Sequence, residues 1–196
     1  MTTVSVTSLL DEIYIHTTRK DLVNETKLAL RQAVRACHRK GRFWKDLVEV
    51  SIAAAAETGG IATASLDLSA IAFPYRQVAY VQFGTSRLSP VDVSDVLDVD
   101  KVVRQNIYWG MGSKLLLCTD YGNTTTYKVG LLANPAWDGV NITSWLFPEY
   151  QDLVVAEAAW QLFGMIGEQE ISRTILQLRQ ILSANLVQDN LEIEAR

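Results

Sequence analysis

The sequence predicts an α+β fold: a helix pair at each end, with strands and turns between. Three observations carry that expectation. Apolar residues recur at helical spacing over the first 40 residues and again over the last quarter. Between these stretches the pattern changes to β-branched residues alternating with polar ones, punctuated by glycine and proline. Strands segregated from helices in this way belong to α+β architecture rather than to repeated βαβ units. The two helix pairs are expected to form one helical bundle, with the central β-rich segment projecting as a lobe.

Thr7 or Ser8 caps a short first helix that runs to about His16, with Leu9, Leu10, Ile13 and Tyr14 on its apolar side. Thr17 and Thr18 break it. A longer helix follows from about Arg19 or Asp21 to Lys40, with Leu22, Thr26, Ala29 or Leu30, Ala33 and Cys37 along its core seam. Gly41 ends it, and Arg39 and Lys40 occupy the last turn, where cations complement the helix dipole. The segment from Phe43 to Ala53 then reads as a strand. Two more strands are expected near residues 62–69 and 76–83. The run 91–103, with acids alternating among valines, fits a strand, a short helix opened by Ser94, or both in succession. Residues 114–120 and 124–132 read as a hairpin around Gly122-Asn123.

Pro148 suits a first helical turn, where its missing N–H is not needed. The residues after it, Tyr150 to Ile166, are so densely apolar that only a narrow strip is left for water. Gly167 interrupts, and Glu168, Gln169 and Glu170 form an acidic first turn for a last helix. Ile171, Ile175, Leu178, Leu182 and Leu186 form its apolar stripe. One domain of residues 1–196 is expected, with helices over about 7–40 and 148–188. The β-rich insertion covers about 43–140. The tail, 189–196, mixes Asp189, Glu192 and Glu194 with Leu191 and Ile193, and reads as a segment that folds only against a partner.

Composition removes several function classes. A formal charge of −4 is unlike that of a generic nucleic-acid binder. Cys37 and Cys118 have no partners at metal or redox spacing, which points to free thiols in a reducing compartment. No segment is long and apolar enough to span a membrane, and the first residues lack the pattern of a signal peptide. A cytosolic product, made in the cytoplasm, is therefore expected, with no membrane partner. No cofactor, metal or catalytic constellation is evident. His16 and His38 stand at helix ends without a paired carboxylate, and read as polar surface or helix-end histidines. Gly110-Met111-Gly112-Ser113-Lys114 lacks the spacing of a phosphate loop and reads as a turn before a strand. Asp92, Asp95, Asp98 and Asp100 alternate with valine and leucine, as a solvated face does, and lack the glycine turn of a calcium loop.

Three features remain as candidates. Nine of the 18 Lys+Arg residues lie between Arg19 and Lys45. Among them Lys27, Arg31, Arg35 and Arg39 recur every fourth residue and so line one stripe of the second helix. That stripe is a solvated face, or it meets an acidic partner, a neighbouring copy or a nucleic-acid backbone. Trp137 and Trp145 flank a loop containing Asp138, Gly139 and Asn141, and are candidate interface anchors because tryptophan is enriched at binding hot spots. Leu186, Val187, Leu191 and Ile193 continue the apolar series of the last helix into the acidic tail, as a docking segment does.

The opening segment 8–47, SLLDEIYIHTTRKDLVNETKLALRQAVRACHRKGRFWKDL, resembles the front end of bacteriophage head–tail adaptor proteins, the tail tubular proteins of short-tailed phages among them. The shared features are a short helix, a longer helix of alternating Ala and Arg with a His-containing turn, and an aromatic pair entering a strand. The end is similar too: a proline-initiated helix, a Gly-Glu break, and a long last helix running into Ser183-Ala184-Asn185-Leu186. In the middle, Ser89-Pro90-Val91-Asp92 resembles the family's Leu-Pro-x-Asp turn, with Ser in place of Leu. The resemblance implies a ring of about twelve copies, built by heterologous contacts. It implies a place at the head–tail junction of a virion, between the portal protein and a downstream tail or nozzle protein. Helices would build the ring and meet the portal, the β-rich lobe would face the tail, and double-stranded DNA would pass through the channel non-specifically. No catalytic role is implied. A tail-terminator or neck protein, or a cytosolic helical nucleic-acid-binding module, are the alternative readings.

Overall fold

The fold is α+β. A computed structural model describes residues 1–56, 61–92, 94, 106–120, 126–167 and 172–194; at residues 55, 56, 61, 62, 120, 172 and 191–194 it describes the backbone alone. The chain divides into two compact units, one of residues 1–45 with 134–196 and one of residues 46–133.

The first unit holds four helices and a small sheet. Strand β1 (Thr2–Ser5) leads directly into α1 (Val6–Thr17), and α2 (Val23–His38) follows. Ser5, not Thr7 or Ser8, stands at the N-cap of α1, and the first helical N–H, from Val6, reaches the Val140 carbonyl at 2.8 Å. After the chain returns, β11 (Ala136–Trp137) and β12 (Asn141–Ser144) precede α3 (Gln151–Ile166) and α4 (Ser172–Glu194). Strand β12 lies between β1 and β11, all antiparallel, with Val4 opposite Ile142. These short polar strands occupy segments the sequence pattern leaves as loop.

Helix α3 is the centre of this unit. It packs on α1, α2 and α4, which is why its sequence is apolar on nearly every side. Leu153, Val154, Ala158, Ala159, Leu162 and Phe163 are almost fully buried. All of these but Leu162 share one core with Leu9 and Ile13 of α1, Leu30, Ala33, Val34 and Cys37 of α2, and Ile142, Leu146 and Phe147 around β12. Burying an aliphatic or phenyl side chain of this size contributes roughly 1.5–3 kcal/mol, so α3 is the largest local source of stability in the unit. Pro148 lies outside the helix, after a cis peptide bond, and Tyr150 is the N-cap. Gly167 closes α3 at φ 77°, in the left-handed region that costs other residues 1 kcal/mol or more, on the order of magnitude for that strain.

The second unit contains two sheets. One has the order β2 (Leu47–Ala53), β10 (Thr126–Ala133), β5 (Tyr75–Phe83), β6 (Ser86–Arg87), all antiparallel. The other has the order β3 (Ala55–Ala56), β4 (Ile61–Asp67), β9 (Lys114–Asp120), β8 (Ile107–Met111), β7 (Ser89–Pro90). Only β7 and β8 pair in parallel there. Val81, Phe83, Leu117, Tyr127, Val129 and Leu131 form its core. The expected hairpin of residues 114–120 with 124–132 is not formed. Strand β9 pairs with β4 and β8, whereas β10 pairs with β2 and β5 in the other sheet. Alternation marks a strand but does not name its neighbour, and Gly122 and Asn123 lie outside the described residues. Most of the acidic run 91–103, with Asp95, Asp98 and Asp100, lies outside them as well. Gly112-Ser113 is the two-residue turn joining β8 to β9, with Gly112 at φ 59°; the reading as a turn before a strand holds.

Two side-chain arrangements fix this unit internally. Arg76 of β5 donates to the Asp46 carboxylate at 2.7 Å and to the Ala133 carbonyl at 2.7 Å, tying the unit's first residue to its last. On β10, Gly130 lies under the Tyr80 ring, so close that an added Cβ would stand 2.3 Å from a ring carbon. The Tyr80 hydroxyl is held by Glu49 at 2.7 Å, which limits how far the ring can retreat. Gly130→Ala is therefore expected to destabilise by about 1–3 kcal/mol, the usual cost of overpacking. A urea melt reads this directly, and a second substitution, Tyr80→Ala, is expected to relieve much of the loss.

Candidate assembly surface

Helix α2 buries Ala29, Leu30, Ala33, Val34 and Cys37, and this sets its outward face. Lys27, Arg31 and Arg35 fall on that face, one turn apart, and Arg39 stands one residue beyond the helix end; all four are exposed. None forms an ion pair among the described residues. Like charges at this spacing destabilise an isolated helix by roughly 0.2–0.5 kcal/mol per pair. Arg35 and Arg39 recover some of that from the dipole at the helix C-terminus, but Lys27 and Arg31 do not. Among the described residues the stripe thus carries its positive charge outward without an ion-pair partner.

Lys40, next in sequence, turns inward instead. Its Nζ lies 3.2 Å from the carboxylate of Glu157 and donates to Ser183 Oγ at 2.6 Å. Glu157 is the one acid within the buried stretch of α3 and is 2% exposed. Arg179 of α4 donates to it through Nε at 2.7 Å and Gln161 through Nε2 at 3.2 Å. The Arg179 guanidinium also stacks on Trp160, 3.9 Å from the ring centroid. One carboxylate thereby fastens the end of α2 to α3 and α4. Burial pushes the Glu157 carboxyl up, but the hydrogen bonds from Arg179 and Gln161 and the charges of Lys40 and Arg179 outweigh it, so its pKa lies below the usual glutamate value. The neighbouring Cys37 thiol is pushed up to about 12, first by burial and then by the Glu157 charge, and stays protonated and inert.

Between α2 and α3, above this network, lies a cleft of about 610 Å³ lined by Gln32, Arg35, Ala36, Arg39, Lys40, Trp160 and Gln161. It joins the lower end of the cationic stripe to an indole face. A second, smaller cleft of about 200 Å³ is walled by aromatics: Phe43, Trp44, Trp145 and Tyr150, with Lys45, Glu149 and Asp189 at its margin. Trp145 packs edge-on against His38, Phe43 and Tyr150. Lys45 lies 5.1 Å above the Trp145 ring and 3.4 Å from Glu149.

The candidate anchors therefore separate. Trp145 is largely committed to these internal contacts, and Trp137 on β11 packs partly against the core. The exposed tryptophan is Trp44, at 53%. Its signal in the sequence is the aromatic pair Phe43-Trp44: Phe43 is buried, and Trp44 opens a 3₁₀ turn (Trp44–Asp46) with its side chain exposed.

The C-terminal segment also differs from expectation. The helix α4 continues to Glu194, so residues 189–194 are helical and not a separate tail. Leu186 is 1% exposed and belongs to the core, which removes it from any docking role; Val187 is 38% exposed. The Tyr150 hydroxyl donates to Asp189 and holds the helix beyond Leu186 against the fold. The side chains of Leu191 and Ile193 lie outside the described residues.

His38 is the last residue of α2, a helix-end histidine as expected, but it is buried and not at the surface, while His16 is exposed. The His38 Nε2 and Ser144 Oγ are 2.8 Å apart, and the Ser144 oxygen accepts from the Leu146 N–H. Ser144 is 1% exposed, so this pair braces β12 against α2 and is shut off from solvent. Among the described residues no three His, Cys, Asp or Glu side chains come together as a metal site. No described helix is long and apolar enough to cross a membrane. Compared with family models and with curated proteins, the chain matches none.

Proposed function

We propose that the protein is a head–tail adaptor of a bacteriophage virion, a structural subunit that assembles into a ring between portal and tail. In this reading the N- and C-terminal helix pairs form the ring-building bundle and residues 46–133 form the lobe directed to the tail component. Double-stranded DNA passes through the channel, and no reaction is assigned to the chain. The observation that carries the reading is the polarity of the first unit. It presents on α2 a cationic stripe that forms no ion pair among the described residues and, on the same unit, the helix α4, whose last residues in sequence include Asp189, Glu192 and Glu194. Two different, complementary patches on one subunit generate heterologous contacts, and these close into rings when the rotation permits. The resemblance of residues 8–47 and 148–186 to adaptor proteins supports the same conclusion.

Native mass spectrometry and negative-stain imaging test it, with the chain alone and with a portal protein. Rings of about a dozen subunits, alone or templated by the portal, are the expected result. Arg31→Glu with Arg35→Glu is expected to weaken assembly by at least about tenfold while lowering stability by only about 1 kcal/mol or less, because both residues are exposed and only Arg35 lies in the last turn of the helix. A chain that stays monomeric under both conditions would reject the proposal. The stripe itself favours a second reading, a helical module that binds nucleic-acid backbone. That reading requires monomer affinity for duplex DNA whose logarithm falls linearly with the logarithm of salt concentration, with a slope near −0.9 per phosphate contacted, an approximate constant for B-form duplex.

A further inference from the structure

We propose that the cleft between α2 and α3 receives an acidic peptide segment, and that its occupant is the C-terminal end of α4 from a second copy of this chain. The inference deepens the ring reading and rests on it for the second copy. Charge comes first. Arg35, Arg39 and Lys40 line the cleft and Arg179 joins the network beneath it, against one carboxylate among the described residues there, that of Glu157. That carboxylate is already engaged by Lys40, Arg179 and Gln161, so it has little left to offer Arg35 and Arg39. A carboxylate arriving from outside would meet two exposed guanidinium groups whose forks match it in geometry.

The apolar and polar lining narrows the class of ligand. Ala36 and the Trp160 indole give the cleft an apolar wall beside its cations. Gln161 Oε1 has no hydrogen-bond partner among the described residues. A peptide supplies N–H donors and aliphatic side chains together with its carboxylates, whereas a phosphodiester supplies only the charge. The segment Asp189-Asn190-Leu191-Glu192-Ile193-Glu194 has that mixed composition.

The chain's own segment cannot serve. Ser183 of α4 already lies at Lys40, on the edge of the cleft. The helix continues from there to Glu194, which lies about 16 Å further along the axis at 1.5 Å per residue. Asp189 is held on the way by Tyr150. The helix backbone beyond Ser183 therefore leads away from the cleft of its own subunit, and engagement by a second copy would exchange the Tyr150 bond of Asp189 for the arginines.

The test uses the full chain and a fluorescein-labelled peptide of residues 187–196, read by polarisation. Saturable binding is expected, at least about tenfold weaker to Arg35→Glu with Arg39→Glu. It should be lost when the peptide carries Asp189→Asn, Glu192→Gln and Glu194→Gln. The doubly reversed chain should regain binding to a peptide with Glu192→Lys and Glu194→Lys, a rescue that general loss of charge would not give. Both arginines are exposed, and unchanged thermal unfolding checks that the variant is folded. Absence of binding, or binding indifferent to Arg35 and Arg39, overturns the inference. So does a duplex oligonucleotide that displaces the peptide and itself depends on these arginines, which would assign the cleft to nucleic acid. The two proposals separate cleanly. Rings that form with the peptide indifferent to both arginines would remove the cleft and keep the ring. Arginine-dependent peptide capture by a chain that never assembles would remove the ring and keep the cleft.

Discussion

Replacing Glu157 with alanine is expected to destabilise the first unit by about 3 kcal/mol, near the lower end of the cost of breaking a buried ion pair from one side. The lower end applies because Lys40 and Arg179 remain 20% and 23% exposed and can regain some water. The variant leaves two cations beside a cavity in the most buried part of α3, and releases both α2 and α4 at that point. A triple variant, Lys40→Met with Glu157→Leu and Arg179→Met, removes the charges together and is expected to recover most of the loss, since an apolar replacement of a buried ion cluster is often neutral or better. Because the Glu157 pKa is lowered in the folded chain, its contribution is present above the unfolded carboxyl range and disappears as pH falls through the folded value. The gap between parent and Glu157→Gln in urea midpoint should therefore narrow in acid. An alanine variant within about 0.5 kcal/mol of the parent, the usual scatter of surface substitutions, would show that the cations escape to solvent at no cost.

Glu157 also shows what a sequence conceals. An acid in the middle of a densely apolar helix is a conspicuous signal that it is partnered, because a lone buried carboxylate would neutralise instead. Which cations meet it depends on how three helices pack, and Lys40 and Arg179 are more than a hundred residues apart in sequence. The basic stripe was legible because i, i+4 spacing is a local property of one helix. The inward turn of Lys40 was not, although it directly follows Arg39.

The same distinction runs through the fold. The helices α2 and α3 stand within a few residues of the spans their apolar patterns predict, and β9 occupies the predicted residues 114–120. Strands β1 and β12 escape the reading because four residues of Thr, Val, Ser, Asn and Ile carry no period of their own. They exist because each completes the other across the whole chain, Thr2 against Ser144. The expected β9–β10 hairpin failed for the converse reason: both strands are real, but sheet partnership is a property of the other strands available.

Cutting the chain after Gln188 and truncating Leu186 to alanine are expected to have opposite consequences, and together they define where the fold ends. Leu186 is almost fully buried in the core shared by all four helices, so Leu186→Ala should cost about 2–5 kcal/mol and free the last turns of α4. Removing residues 189–196 deletes the Asp189 bond to Tyr150, a contact near the surface, but keeps Leu186 in place. That truncation should change the urea midpoint only slightly, by about 1 kcal/mol or less in free energy. If the acidic end of α4 is the segment that engages a neighbour or a portal, the truncated chain should nevertheless fail to assemble. Leu186→Ala should assemble weakly and only at low temperature, in proportion to the population in which α4 is docked. A truncated chain that forms rings at full occupancy would remove residues 189–196 from assembly. It would turn attention to the cationic stripe of α2 and to exposed apolar side chains such as Trp44 and Val187 as surfaces to hold a second copy.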